Sequence, residues 1–448
     1  MVTPRPRLPP LRVAMAASLM LALAGCAARP AAPPPAGFSA DTFTREGLIS
    51  GATATEAGCR ALPDGIWVDL GSRRECLRYA AGGAGQPART AIVHFPGDPP
   101  GAAYRFASGH VYVERVNAFY EHTAASRRLA AETLAGAMHG APVFLMGRPG
   151  MHGSSGDHGQ DRHTQAEVAL VDAALTALKR RHGIDELVLS GFSSGGLLVA
   201  NLLARRGDIR CAVIASAPLD LAQFHRRPDG TLTEDFAMRA SELADPMRSL
   251  EETRSSATIF VIGDQRDRKV PNTAWAEWVA AAQRRGLRVH EAAIAGADRP
   301  ETGAPRSFHI TGSRSLEVAH ACATGWPGER LRAALLNGEA ILRPQGRPLG
   351  GEEIRAAFAG RHLFGITWPY WGTRVTLATH WTEQGERRQF HPAHPDQRIA
   401  TGRWWVEGGR LCTTEEGCHA VLADGRYLHV VEGEPPRFLA SYVADGPP

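Results

Sequence analysis

A short apolar run, Glu186-Leu187-Val188-Leu189-Ser190, leads directly into Gly191-Phe192-Ser193-Ser194-Gly195, and a second apolar stretch, residues 196–204, follows at once. This junction limits what the chain can fold into more than any other feature. The first run reads as a buried strand. The second reads as a buried helix that closes on Arg205, Arg206 and Gly207, a basic last turn with a glycine stop. Strand and helix then share one sharp corner, and Ser193 sits on it in a strained turn. The small residues around it let the two segments approach closely. The Ser193 hydroxyl is expected to project from the strand end beside a helix N-terminus, where developing negative charge is favoured.

Similar alternation runs from about residue 65 to residue 325. Gly65 to Leu70 and Cys76 to Ala80 read as opening strands, and Thr90 to Phe95 as a third, ended by Pro96-Gly97-Asp98. Ala125 to His139 reads as a helix and Pro142 to Met146 as the next strand. Val168, Val171, Leu175 and Leu178 recur at helical spacing, and that helix stops at Gly183 after Lys179-Arg180-Arg181-His182. Further strands are expected at Cys211 to Ala215, Thr258 to Ile262 and Val289 to Ile294, with a helix around Trp275, Trp278 and Val279 before the last. Strands alternating with helices argue for an α/β class: a doubly wound, mostly parallel sheet covered on both faces.

The motifs, in order, resemble those of α/β-hydrolase fold serine hydrolases, above all the dienelactone-hydrolase-like and prolyl-oligopeptidase-like members. The resemblance spans roughly residues 60–325. It implies Ser193 as nucleophile, with an acid and a histidine following in chain order. Gly263-Asp264-Gln265-Arg266-Asp267-Arg268-Lys269-Val270-Pro271 follows a strand and is similar to the family's acid turn. That register implies Asp267, with Asp264 as a local rival. The base maps to His309 in Ser307-Phe308-His309-Ile310, just before a helix; His320 reads as a packing or surface residue. For the oxyanion hole the resemblance implies the N–H of Ser194 and, from the loop after the third strand, the N–H of Asp98, with Gly97 as second choice. Pro96 has no N–H to offer. Arg148-Pro149-Gly150-Met151-His152-Gly153-Ser154 resembles a loop that borders the site in this fold. His152 and His158, and His391 and His394, are expected as loop residues and no metal set is expected from them.

The implied activity is hydrolysis of an ester or related acyl bond on a small-molecule or peptide substrate, with no cofactor. Two alternatives stay open: a peptidase of prolyl-oligopeptidase type, and a non-catalytic binding lipoprotein of the envelope. A formal charge of +4, with no long basic stripe, gives no indication of a nucleic-acid partner.

The ends of the chain carry separate messages. Residues 1–25 read as a leader: Arg5, Arg7 and Arg12 precede an apolar stretch too short to span a bilayer. Leu23-Ala24-Gly25-Cys26 resembles the lipobox of bacterial lipoproteins, which implies lipidation of Cys26, a membrane anchor and a periplasm-facing location. Ala27 after it favours the outer membrane. Residues 26–40 read as an Ala/Pro-rich tether, 41–325 as the catalytic domain, 326–345 as a linker and 346–448 as a small antiparallel β-rich domain. Glu352 to Ala359 suggests one helix there. Trp368, Trp371, Trp404 and Trp405 suggest either the core of that domain or a binding face. Six cysteines remain beyond Cys26, an even set suited to an oxidising compartment. Cys59–Cys76 and Cys412–Cys418 are the sequence-local pairs, which leaves Cys211 with Cys322, as a bond or as buried thiols.

Overall fold

Eight apolar runs pair into one twisted sheet. In chain order they are β1 (Gly65–Asp69), β2 (Arg74–Gly82), β3 (Thr90–Phe95), β4 (Val143–Met146), β5 (Glu186–Phe192), β6 (Ile209–Ala215), β7 (Thr258–Gly263) and β8 (Arg288–Ala293). Across the sheet they lie β1-β2-β4-β3-β5-β6-β7-β8. Only β2 runs against its neighbours β1 and β4; every other pair is parallel. This is the α/β-hydrolase fold. The coordinates are a computed structural model, and they describe residues 36–83, 85, 88–294, 308–309, 311–368 and 376–444. The leader and Cys26 lie outside the described residues.

The central strands are mostly apolar because helices cover both faces. Val188 and Leu189 of β5 and Val213 and Ile214 of β6 are fully buried. Helix α1 (Ala124–Ala137) starts at a reciprocal cap between Thr123 and Ser126. Helix α2 (Gln165–His182) is capped by Thr164 and stops at Gly183, which adopts φ 65°. Helix α3 (Ser194–Leu202) leaves the end of β5 with no intervening loop. The expected linker is not extended. It carries a helix, Gly328–Leu336, whose Leu331, Ala334 and Leu335 are buried, a short apolar spacing that a linker reading overlooks. The last residues of the expected tether also join the fold: Ala36–Gly37 pairs with Ala52–Thr53, and the Ser39 and Ala40 carbonyls accept from Arg78.

Beyond residue 346 the chain is antiparallel, as its composition implies. Its strands are Arg361–Thr367, Thr376–Trp381, Glu386–His391, His394–Glu407, Arg410–Thr413, Gly417–Asp424, Tyr427–Glu432 and Arg437–Val443. They close on themselves, because Gly417–Asp424 pairs with Tyr427–Glu432 as well as with Arg410–Thr413. Among the described residues these eight strands close into a barrel, and the two-residue strand Arg347–Pro348 pairs onto Gly417–Asp424. The helix Gly351–Phe358 supplies Ile354 and Phe358 to a core that also holds Trp381, Trp404 and Tyr442. Trp368 is buried too, while Trp405 is exposed; Trp371 lies outside the described residues. The barrel rests on α1. The Tyr427 hydroxyl donates to Glu132 at 2.8 Å, and Phe364, Ile366 and Phe438 share a buried cluster with Leu134 and Ala137.

All three cysteine pairs are bonded: Cys59–Cys76, Cys211–Cys322 and Cys412–Cys418. Cys211–Cys322 joins β6 to the helix Gly312–Ala323, so it is a covalent tie rather than two buried thiols.

Candidate active site

Ser193 adopts φ 55° and ψ −124°, a conformation that costs an L-residue roughly 1–3 kcal/mol and persists only where neighbours enforce it. The enforcement is visible at Gly195. A Cβ there would lie 2.3 Å from the Phe95 carbonyl oxygen at the end of β3, so the corner closes only with glycine. The Ser193 N–H donates to the Ala215 carbonyl of β6 at 2.8 Å, and the Ser193 carbonyl accepts from Gly196 at 2.9 Å to start the helix. The side chain stays partly exposed at the carboxyl end of the sheet, where ligands bind in open α/β folds.

The residues expected as acid and base, Asp267 and His309, lie against each other. Asp267 follows β7 in a turn that buries its carboxylate. Oδ1 accepts from the Lys269 and Val270 N–H groups at 2.8 and 3.0 Å, and Oδ2 meets Nδ1 of His309 at 2.7 Å. The His309 ring lies against Phe192, centroids 4.7 Å apart, so the histidine packs on the residue just before Ser193. Its segment is pinned on both sides. The Arg266 guanidinium sits 4.0 Å over the Phe308 ring, and Thr311 hydrogen bonds Ser216 at 2.8 Å. Asp264, the rival acid, turns elsewhere: it accepts from the Arg266 N–H at 2.9 Å and pairs with the Arg266 guanidinium at 3.0 Å. His320 is buried against the ring of His139, centroids 5.4 Å apart.

The two N–H groups named for the oxyanion hole come from segments packed side by side. A Cβ on Gly97 would stand 2.9 Å from the Ser193 Cβ, so the loop after β3 abuts Ser193. Among the described residues, neither the Asp98 N–H nor the Ser194 N–H has a hydrogen-bond acceptor. Both remain available to a developing oxyanion.

Sequence reading missed what surrounds the Asp98 side chain. Its Oδ2 accepts from Arg162 at 2.6 Å, and its Oδ1 accepts the Ser194 hydroxyl at 2.7 Å. The Arg148 guanidinium, fully buried, donates to Ser194 Oγ at 2.5 Å and to Glu167 at 2.6 Å. His158 lies 3.5 Å from Asp98 and hydrogen bonds Tyr104 at 3.2 Å. Burial opposes the charge on Asp98, but Arg162, the His158 hydrogen bond and the nearby cations outweigh it and hold the carboxyl well below its usual range. Burial pushes His158 down, so its ring is neutral near pH 7. The one signal available was Asp98 itself, since a carboxylate in a buried loop demands cationic partners.

The other histidines of the motif loops serve packing. His152 stacks on Tyr120, centroids 5.2 Å apart. His391 and His394 face each other across a hairpin turn, where His391 bonds the Ala118 carbonyl and His394 bonds Glu121. Among the described residues the one three-ligand grouping is Glu407, Cys412 and Cys418, and its two sulfurs are spent in a disulfide.

Set beside known proteins, the chain matches the family described as alpha/beta hydrolase fold over residues 116–298. Among solved structures it is similar to the esterase Pf2001 of Pyrococcus furiosus, at 15% identity and a TM-score of 0.38, over 58% of this chain and 91% of that one. It is similar to Est1E from Butyrivibrio proteoclasticus at 12% identity and a TM-score of 0.35, over 61% and 98% of the two chains. For the acylaminoacyl peptidase of Pyrococcus horikoshii the values are 13%, 0.39, 60% and 43%. No curated protein sequence matches the chain. Likeness this remote carries no weight for substrate or mechanism. The family match and the site geometry support a hydrolase.

Proposed function

We propose that this protein is a serine hydrolase that cleaves an ester or related acyl bond through an acyl-enzyme on Ser193. The observation that carries the reading is the 2.7 Å contact between Asp267 and His309, made while the histidine ring packs beside the strained nucleophile turn. Asp267 accepts from Nδ1–H and so leaves the other ring nitrogen of His309 as the base. His309 takes the Ser193 proton as the hydroxyl attacks the acyl carbon. The oxyanion draws on the N–H groups of Ser194 and Asp98. His309 then returns the proton to the leaving group, and water releases the acyl group by the same route in reverse. Every proton in this scheme moves between protein groups, substrate and water.

The test is labelling with a fluorophosphonate probe and mapping of the modified residue. Ser193 is expected to carry the label, and Ser193→Ala is expected to lose both labelling and hydrolysis of p-nitrophenyl esters while keeping its thermal midpoint. Labelling that persists in Ser193→Ala overturns the assignment.

Export as a lipoprotein is part of the same proposal. It rests on the leader, on Leu23-Ala24-Gly25-Cys26 and on three disulfide pairs, which suit an oxidising compartment. The mature chain is then expected to begin at an acylated Cys26 in the bacterial envelope, and intact mass spectrometry checks it. A mature N-terminus elsewhere, without lipid, refutes it.

A further inference from the structure

Two N–H donors make an oxyanion hole only if their spacing is fixed before the reaction begins. Here the donors are the N–H groups of Asp98, in the loop after β3, and Ser194, in the first turn of α3. The ladder between β3 and β5 sets the register up to Phe95 and Gly191, and Gly97 packs on Ser193, but among the described residues no backbone hydrogen bond ties the loop at Asp98 to the turn at Ser194. A side-chain bond does. The Ser194 hydroxyl donates to Asp98 Oδ1 at 2.7 Å, so each of the two donor residues is held by the side chain of the other. We propose that the Asp98 carboxylate is a positioning residue that ties the two oxyanion donors into one rigid unit. This rests on the serine hydrolase reading and adds a role that the triad and the two N–H groups do not contain.

A bare carboxylate beside a developing oxyanion would repel it. The surroundings remove that objection. Arg162 meets the far oxygen at 2.6 Å and is itself held over the Tyr104 ring, 4.1 Å away. Arg148 donates to the Ser194 hydroxyl from behind and lies 3.5 Å from Oδ1, and its own charge is matched by Glu167. The cluster thus holds two guanidiniums against two carboxylates and is neutral as a whole. It is rigid too, because Arg148, Glu167 and Ser194 are buried. Among the described residues Arg148 Nη2 and Arg162 Nε have no hydrogen-bond partner, so the cluster fixes geometry through the bonds named here and is costly when one member is removed.

The experiment measures kcat and KM for a p-nitrophenyl ester, and the affinity of an alkyl boronic acid that mimics the tetrahedral intermediate. The variants are Ser194→Ala, Asp98→Asn, Asp98→Ala and Asp98→Ala with Ser194→Ala. Ser194→Ala keeps its N–H and loses only the hydroxyl. It is expected to lose roughly tenfold or more in kcat, with KM changed by less than about threefold and boronate affinity falling in parallel. Asp98→Ala should show the same pattern, and the double variant should lose little beyond the worse single one. Asp98→Asn offers one acceptor where the carboxylate offers two, for Arg162 and for the Ser194 hydroxyl, so it is expected to fall between the wild type and Asp98→Ala. Should Asp98→Ala not fold, Ser194→Ala decides alone. An unchanged kcat in Ser194→Ala, additive losses in the double variant, or a change confined to KM would overturn the proposal while Ser193 labelling stands. A wild-type protein that neither labels at Ser193 nor turns over the ester overturns the hydrolase reading and this proposal with it.

Discussion

Replacing Asp267 with asparagine separates charge from shape. The carboxylate has two distinct duties: Oδ1 accepts from two backbone N–H groups, at 2.8 Å from Lys269 and 3.0 Å from Val270, and Oδ2 accepts from Nδ1 of His309 at 2.7 Å. An asparagine of the same size must give its carbonyl oxygen to the backbone pair, since two donors there need an acceptor. Its NH₂ then faces Nδ1 and demands an acceptor from the imidazole. The ring is forced into the tautomer with its proton on Nε2, and the base toward Ser193 is lost. The equivalent change in the Ser-His-Asp proteases lowers kcat about 10⁴-fold, which corresponds to roughly 5 kcal/mol of barrier. Stability should change little, because the two backbone bonds survive. Asp264→Asn is the control. It keeps an acceptor for the Arg266 N–H but loses the charge of a buried carboxylate paired with a partly exposed arginine, so some stability should be lost with it. Turnover there should stay within a few-fold. Steady-state kinetics on p-nitrophenyl butyrate, with thermal midpoints for both variants, decide the matter. A severe loss in Asp264→Asn with a mild one in Asp267→Asn refutes the reasoning and moves the acid; mild losses in both refute the triad.

Gly97→Ala would place a methyl 2.9 Å from the Ser193 Cβ and 3.1 Å from the Phe192 carbonyl, so the oxyanion loop must withdraw; a drop of roughly tenfold or more in kcat is expected, and an unchanged kcat contradicts the packing argument. Stability should fall with acidity. Burial and the neighbouring His139 lower buried His320 to about 4, and burial likewise lowers His429 to about 4. The folded state resists protons that the unfolded state binds below about 6.5, so each histidine costs about 2 kcal/mol by pH 5, with little further change below pH 4. Urea midpoints at pH 7.5 and pH 5 test this, and equal midpoints would rule it out. Peptide mapping without reduction should recover all three cysteine pairs, and opening Cys59–Cys76, which spans 17 residues, should cost on the order of 3 kcal/mol; free Cys59 and Cys76 would contradict the bond.

What could be read from the sequence follows from where the residues lie. Strands β3, β5, β6 and β7 were legible because both faces are covered, and each survives in the sequence as an unbroken apolar run. Ser193, Asp267 and His309 were singled out because each falls in a recognisable setting, and the structure brings Asp267 to His309 and packs His309 on Phe192. The barrel was legible only in outline. Glu386–His391 and His394–Glu407 form a long hairpin; Gly402 to Val406 alternates and reads as a strand, but residues 394–401 are almost all exposed and carry no such alternation. The antiparallel hairpin of Ala103–Ala107 and His110–Arg115 escaped for a related reason: only Val111 and Val113 are buried in it. The cluster around Asp98 was out of reach. Arg148 opens the loop that the resemblance placed beside the site, but nothing along the chain joins it, or Arg162 at the end of the helix His158–Asp161, to Asp98.

The seat of the barrel on α1 bears on how this protein can be taken apart. A module hung on a flexible connector can be cut away, and what remains keeps its surface. Here the cut would uncover Leu134 and Ala137 on one side and Phe364, Ile366 and Phe438 on the other, because these residues lie in one shared buried cluster. It would also strip Glu132 of the Tyr427 hydroxyl. Gly136 shows how close the fit is: a Cβ there would stand 2.5 Å from the Tyr427 ring. A chain shortened before residue 346 would therefore be a different molecule with a sticky flank, rather than the same hydrolase made smaller. The barrel's contribution is better sought by changing side chains on its outer surface, exposed Trp405 first, than by deletion.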